Sequence, residues 1–221
     1  MSRDNHPKER QAKQLERKQK NQYSAGRDRI LIVTEGSKTE PLYFQEIRKF
    51  YRLGTAHVKI LPGAYGTSPQ KIINFARDHL KSCSKWEQVF CVFDRDDHPD
   101  FNNALVSAAS IDKKYKNEFK QPIRFTAIPS IPCFELWLLL HFKCITREID
   151  RFDVIRQLGG PDCLPKYEKG QDGHFSRTCG KLSTAFQNAD RLTVERERHG
   201  HENPYTAVHT LVKLLIEPGN I

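Results

Sequence analysis

Ile30-Leu-Ile-Val-Thr-Glu35-Gly36-Ser-Lys-Thr39-Glu40, read together with Val89-Phe-Cys-Val-Phe-Asp94-Arg-Asp96-Asp97-His98, decides the fold. Each is a short apolar run, rich in β-branched and aromatic residues, that stops abruptly at carboxylates. Runs of that length are too short for helices and read as strands buried on both faces. Acidic residues just past the ends of two such strands fall at the carboxyl edge of a parallel sheet, where open α/β folds keep their sites. The reading that follows is a divalent-metal site built from Glu35, Asp94 and Asp96.

Working outward, Ile30–Thr34 is the first strand. Ser37-x-x-Glu40 has capping-box spacing, and Pro41 sits where an early helical proline is tolerated. A helix through Leu42, Phe44, Ile47 and Phe50 follows, and Gly54 closes it. His57–Leu61 is a second strand, and Ser68-Pro69 opens a helix whose inner face is Ile72, Ile73, Ala76 and Leu80. The third strand, Val89–Phe93, leads through a helix over about 101–115 to a fourth, Ile123–Ile128. This β-α-β rhythm predicts parallel pairing with right-handed crossovers.

Beyond Pro132 the pattern turns helical: Phe134–Phe142, Asp150–Leu158, and two helices over about 178–197 and 204–216, the last N-capped by Asn203. The division expected is a basic arm, helical or disordered, over 1–25, an α/β core over 26–131, and a helical region over 132–221 packed on that core.

Composition narrows the function. Of 221 residues, 29% are charged and 38% apolar, and uninterrupted apolar stretches reach only five residues, as at Leu136–Leu140, far short of a membrane span. Six cysteines without CxxC spacing, and no apolar leader, suit a reducing cytoplasm. The net charge of +9 favours a polyanionic partner such as nucleic acid. Its excess is concentrated in residues 1–29, with nine Lys/Arg against four Asp/Glu.

On an extended segment, alternate residues point the same way, so Asp94 and Asp96 can face one ion. Oxygen ligands of this kind suit Mg²⁺ or Mn²⁺. Gly36 allows a close backbone approach beside Glu35. A phosphate-loop reading of Gly36-Ser-Lys38-Thr39 fails, because Ser37 and Ile32 occupy the positions that need glycine. Glu135, set among Leu and Trp, is costly unless paired, hydrogen-bonded or metal-bound. His141 reads as a core or rim histidine.

With these residues in hand, the chain resembles the RloB family, a TOPRIM-related group linked to bacterial restriction, phage-defence and abortive-infection loci and distantly similar to OLD-type nucleases. The resemblance rests on Glu35–Phe44, Phe93–His98, Ile131-Pro-Cys-Phe-Glu-Leu-Trp-Leu-Leu-Leu-His-Phe142, Tyr167-Glu-Lys169 and Asn203-Pro-Tyr-Thr-Ala-Val208. It implies a TOPRIM-like (Rossmann-like) α/β fold with a four-stranded parallel sheet and a C-terminal helical extension. It further implies a Mg²⁺-dependent nuclease, with Glu35, Asp94 and Asp96 catalytic and metal-binding. Glu40 and Glu135 are accessory ligand candidates, and Lys38, Arg95, Lys169 and Arg177 are candidates for phosphate contact. The expected substrate is DNA or RNA, tRNA included. Two other readings stay open: a silent or partner-activated nucleic-acid-binding subunit working with an ABC-like ATPase, and, less well supported, a metal-dependent nucleotide-sugar transferase.

Overall fold

The computed structural model describes residues 28–63 and 68–217; the expected basic arm lies outside the described residues. The element order is β1 (Ile30–Thr34), α1 (Thr39–Phe50), β2 (Val58–Leu61), α2 (Pro69–Ser82), β3 (Gln88–Asp94), α3 (Phe101–Ile111) and β4 (Arg124–Ile131). It continues with α4 (Glu135–Leu139), α5 (Arg151–Leu158), α6 (His174–Thr178), a 3-10 turn at Cys179–Lys181, α7 (Leu182–His199), β5 (Tyr205–Thr206) and α8 (Val208–Ile216).

The sheet has five strands in the order β2-β1-β3-β4-β5. The first four are parallel, with Ile30 opposite both Val58 and Gln88, and Asp94 opposite Ser130. The fifth corrects the expected four-stranded sheet. Tyr205 and Thr206 pair antiparallel with Ile131 and Ser130, and Ser130 Oγ meets Thr206 Oγ1 at 3.0 Å. A two-residue strand carries no periodicity, which is why helix was expected from 204 onward. The terminal helix begins only at Val208, with Ala207 rather than Asn203 at its N-cap. The apolar run 134–142 likewise yields just one short helix, Glu135–Leu139.

Strand pleating sorts the core into two layers. Ile30, Ile32, Phe90, Val92 and Ile128 pack with α1 and the C-terminal helices. Leu31, Val33, Val89, Cys91 and Phe93 face the other way, onto α2 and α3. Period-2 alternation places Asp94 on the face of Phe90 and Val92, toward α1 and α4. This parity decides which carboxylates it meets.

The densest packing lies on that face. Trp137 is fully buried and its Nε1 donates to the Tyr43 hydroxyl at 2.8 Å. Tyr43 sits edge-on to Phe44, Phe134 and Phe175. His141 is also buried, with Nδ1 donating to Trp137 O at 3.0 Å. Burial drives its pKa from 6.5 down to about 4, against the opposing pull of the Trp137 and Leu138 backbone. The unfolded chain therefore takes up this proton near pH 6.5 and the folded one only near pH 4. The stability from a neutral His141 is complete above the first value and lost as pH falls toward the second. The expected loss across that window is about 3 kcal/mol. Urea melts at pH 7 and at pH 4.5 should show a smaller difference for His141→Gln than for wild type; equal differences would remove His141 as the cause.

Among the described residues, no helix is long and apolar enough to cross a membrane. All six cysteines are free.

Candidate acidic site

At the amino edge of the sheet, charges neutralise one another: Arg29 pairs with Glu87 at 2.7 Å and Glu118 at 2.6 Å. The carboxyl edge is different. Glu35, Glu40, Asp94 and Glu135 are all buried there, and Asp96 lies beside them.

Glu35 follows β1 directly. Its Oε2 accepts the Asp94 N–H at 3.0 Å, and its Oε1 lies 3.1 Å from His98 Nε2. Burial pushes its carboxyl up to about 7; the Asp94 N–H and His98 oppose the rise, while Asp96 and Glu40 add to it. Asp94 ends β3 with its carboxyl held well above the ordinary range, first by burial and then by Glu40, Glu135, Glu35 and Asp96. Its Oδ1 is buried without a hydrogen-bond partner.

Asp96 does not reach the site by strand alternation. β3 stops at Asp94, the Arg95 N–H turns onto Ser130 O at 2.8 Å, and Asp96 has a φ of +35°. A left-handed turn therefore aims this side chain. One oxygen, Oδ2, pairs with Arg151 Nη1 at 2.9 Å, and the other, Oδ1, has no partner.

Glu40 is not the capping-box residue its spacing suggests. Helix α1 starts at Thr39 with Lys38 at the N-cap and no side-chain capping bond. Instead the Glu40 carboxylate folds back against Gly36, where a Cβ would overlap Oε2. The glycine is there for space rather than for a left-handed turn. Burial raises the Glu40 carboxyl, its own and the Gly36 backbone lower it, and Glu135 and Lys169 act in opposite senses.

Glu135 opens α4 and is fully buried. Its Oε1 accepts from the Tyr167 hydroxyl at 3.0 Å and pairs with Lys169 Nζ at 3.4 Å, while Oε2 has no partner. Tyr167 and Lys169 arrive on the segment between α5 and α6, which is tied to α1. The Gly170 N–H donates to Thr39 Oγ1 at 3.0 Å, and Glu46 accepts from the Gly173 and Ser176 N–H groups. Gly170 packs against the Lys38 stem.

Of the four basic candidates, Lys169 lies among the acids. Burial works to lower its pKa, but Glu135, Asp94 and Glu40 outweigh burial and raise it. Lys38 is exposed at the helix entry. Arg95 is turned away onto Glu202 at 2.7 Å, and Arg177 donates to Pro165 O at 2.9 Å.

Three residues at the site have no role in the sequence reading. His98 and Tyr167 stand inside the quoted motifs, so a signal was present. Arg151 had none, because its pairing with Asp96 spans separate elements.

The donor set suits a hard divalent cation. Three oxygens are unpartnered (Asp94 Oδ1, Asp96 Oδ1 and Glu135 Oε2), and the Glu135 and Asp96 carboxylates add to the raised proton affinity of Asp94. Among the described residues, no three His, Cys, Asp or Glu side chains are gathered closely enough to hold an ion.

Fold and site together define a mixed α/β protein with a buried acidic cluster at the carboxyl edge of its sheet. The chain belongs to the RloB family: the model for RloB-like protein matches residues 30–215. No curated protein and no solved structure matches it significantly.

Proposed function

We propose that this chain is a Mg²⁺- or Mn²⁺-dependent nuclease with a TOPRIM-like core, hydrolysing phosphodiesters of DNA or RNA, tRNA among them, in bacterial anti-phage defence. The observation that supports the proposal is the buried acidic cluster in which Asp94 Oδ1, Asp96 Oδ1 and Glu135 Oε2 lack partners. Leaving a buried polar atom unsatisfied costs about 1–3 kcal/mol, more when it is charged, so such atoms mark a functional demand. The four parallel strands in the order β2-β1-β3-β4 support the TOPRIM-like reading.

Asp94, Asp96 and Glu135 would hold the ion, with Glu40 behind them. When bound, it would polarise a non-bridging phosphate oxygen and favour attack by water. Glu35 would take the water's proton. Its raised pKa suits a general base near neutral pH, and the Asp94 N–H and the His98 ring fix its two oxygens. Arg151 and Lys169 orient Asp96 and Glu135, and offer positive charge to the phosphate.

The test is cleavage of DNA, RNA and tRNA with Mg²⁺ or Mn²⁺. Glu35→Gln should reduce turnover by about 10²–10⁴, the usual share of general-base catalysis, with little change in metal binding. Equal cleavage by wild type and variant would end this assignment.

A second reading has an observation in its favour. Lys169 already pairs with Glu135 and Arg151 with Asp96, and the carboxylates are not gathered. A subunit activated in trans by an ABC-like ATPase would have to release these two ion pairs before a metal or phosphate could engage the carboxylates. Cleavage that appears only on adding such a partner would select it.

A further inference from the structure

Glu135 is fully buried, yet its two oxygens are answered unequally. Oε1 takes the Tyr167 hydroxyl at 3.0 Å and the Lys169 ammonium at 3.4 Å, while Oε2 has no partner. Lys169 answers more than this one acid, because Glu135, Asp94 and Glu40 all raise its pKa. Its contact is also longer than the other ion pairs at the site, 2.9 Å for Arg151 with Asp96 and 3.1 Å for His98 with Glu35. A charge-assisted hydrogen bond is shorter, at about 2.7–2.9 Å. Arg29 at the amino edge is a fixed pair by comparison, with Nε and Nη2 both on Glu87 at 3.1 and 2.7 Å.

The ammonium can leave Glu135 while the backbone stays. The Gly170 N–H on Thr39 Oγ1 and the Gly173 N–H on Glu46 hold the segment to α1, whereas the Lys169 side chain is 51% exposed. A change of rotamer is enough to carry its charge into water. The Tyr167 hydroxyl, on the same segment, still holds Glu135 Oε1.

We infer that Lys169 is a placeholder cation: it neutralises the buried acids of the metal-free protein, and a divalent ion enters in exchange for it. The inference rests on the metal-dependent reading above and adds a regulation of that same site. Coupling between two ligands of one site is reciprocal. An ammonium that stabilises the empty cluster must therefore weaken the ion that replaces it. It does so by giving up its pair, or by standing close to a second positive charge. Lys169 accordingly sets the metal concentration at which the site loads. If orienting Glu135 were its whole role, its loss would weaken the ion instead.

Mn²⁺ titration of the full-length protein, followed by electron paramagnetic resonance and paired with thermal melts in the absence of metal, tests this. Lys169→Met keeps the reach of the side chain and removes its charge. It should bind Mn²⁺ about tenfold more tightly than wild type, and without metal it should melt at a lower temperature, since a buried acid has lost its partner. Lys169→Arg keeps the charge and should show no such gain in Mn²⁺ affinity. Lys169→Met that binds Mn²⁺ equally or more weakly than wild type overturns the exchange and leaves the metal-dependent reading standing. A gain that Lys169→Arg shares also overturns it, because charge is then not the cause. If neither wild type nor Lys169→Met binds Mn²⁺, the metal-dependent reading falls and this inference falls with it.

Discussion

Asp94→Asn is expected to abolish cleavage while making the metal-free protein more stable than wild type. The carboxyl of Asp94 is buried and opposed by four other acids, and one of its oxygens has no partner. An amide of the same shape removes that charge and can donate to a neighbouring carboxylate. The gain in metal-free stability should be about 1–2 kcal/mol. On the proposed metal-dependent reading, the variant would also lose a ligand to an ion that would supply several kcal/mol of transition-state stabilisation, so turnover should fall at least about a hundredfold. Thermal melts with and without Mg²⁺ give a readout independent of activity. Metal at about a hundred times its dissociation constant should stabilise wild type by about 2.7 kcal/mol and the variant by far less. A variant that is destabilised without metal, or stabilised by Mg²⁺ as strongly as wild type, would refute the assignment.

Trp137→Ala should have the largest effect on the fold. The indole is fully buried, bonded to Tyr43 Oη at 2.8 Å, and packed on His141 and Phe186. Removing it leaves a cavity costing about 3–5 kcal/mol, and it takes a donor away from a buried hydroxyl. That is a large share of a total stability of about 5–15 kcal/mol. Trp137→Phe keeps most of the ring volume and loses the bond, for about 1–2 kcal/mol. Denaturant melts should rank wild type above Trp137→Phe and that well above Trp137→Ala. Near-equal stabilities would mean that the aromatic layer is not what holds α4. Because Glu135 lies two residues before Trp137 at the start of the same short helix, packing there also holds the acid in place.

The two central strands were legible because their signal is local. A buried parallel strand must be an apolar run, and the carboxylates that end it lie next to it in the chain. Glu35 and Asp94 follow from that alone, as do the helices α1, α2 and α3 with their inner faces. Where a reading depended on extrapolating local geometry, it was less secure. Asp96 was aligned with Asp94 by strand periodicity, yet a left-handed turn intervenes. Glu40 has capping-box spacing, yet its carboxylate folds against Gly36. Arg95 was read as facing phosphate, yet Glu202, 107 positions later, holds it.

The sequence by itself determined the alternating β/α order, the parallel core and the acids at the carboxyl edge, since each is written in runs of a few adjacent residues. Only the tertiary structure decided which charges answer those acids and what completes the sheet. Arg151 meets Asp96, Tyr167 and Lys169 meet Glu135, and Thr206 pairs with Ser130. These contacts join segments far apart in the chain, and their energy comes from burial and Coulomb attraction across space, which leave no periodic mark on either segment.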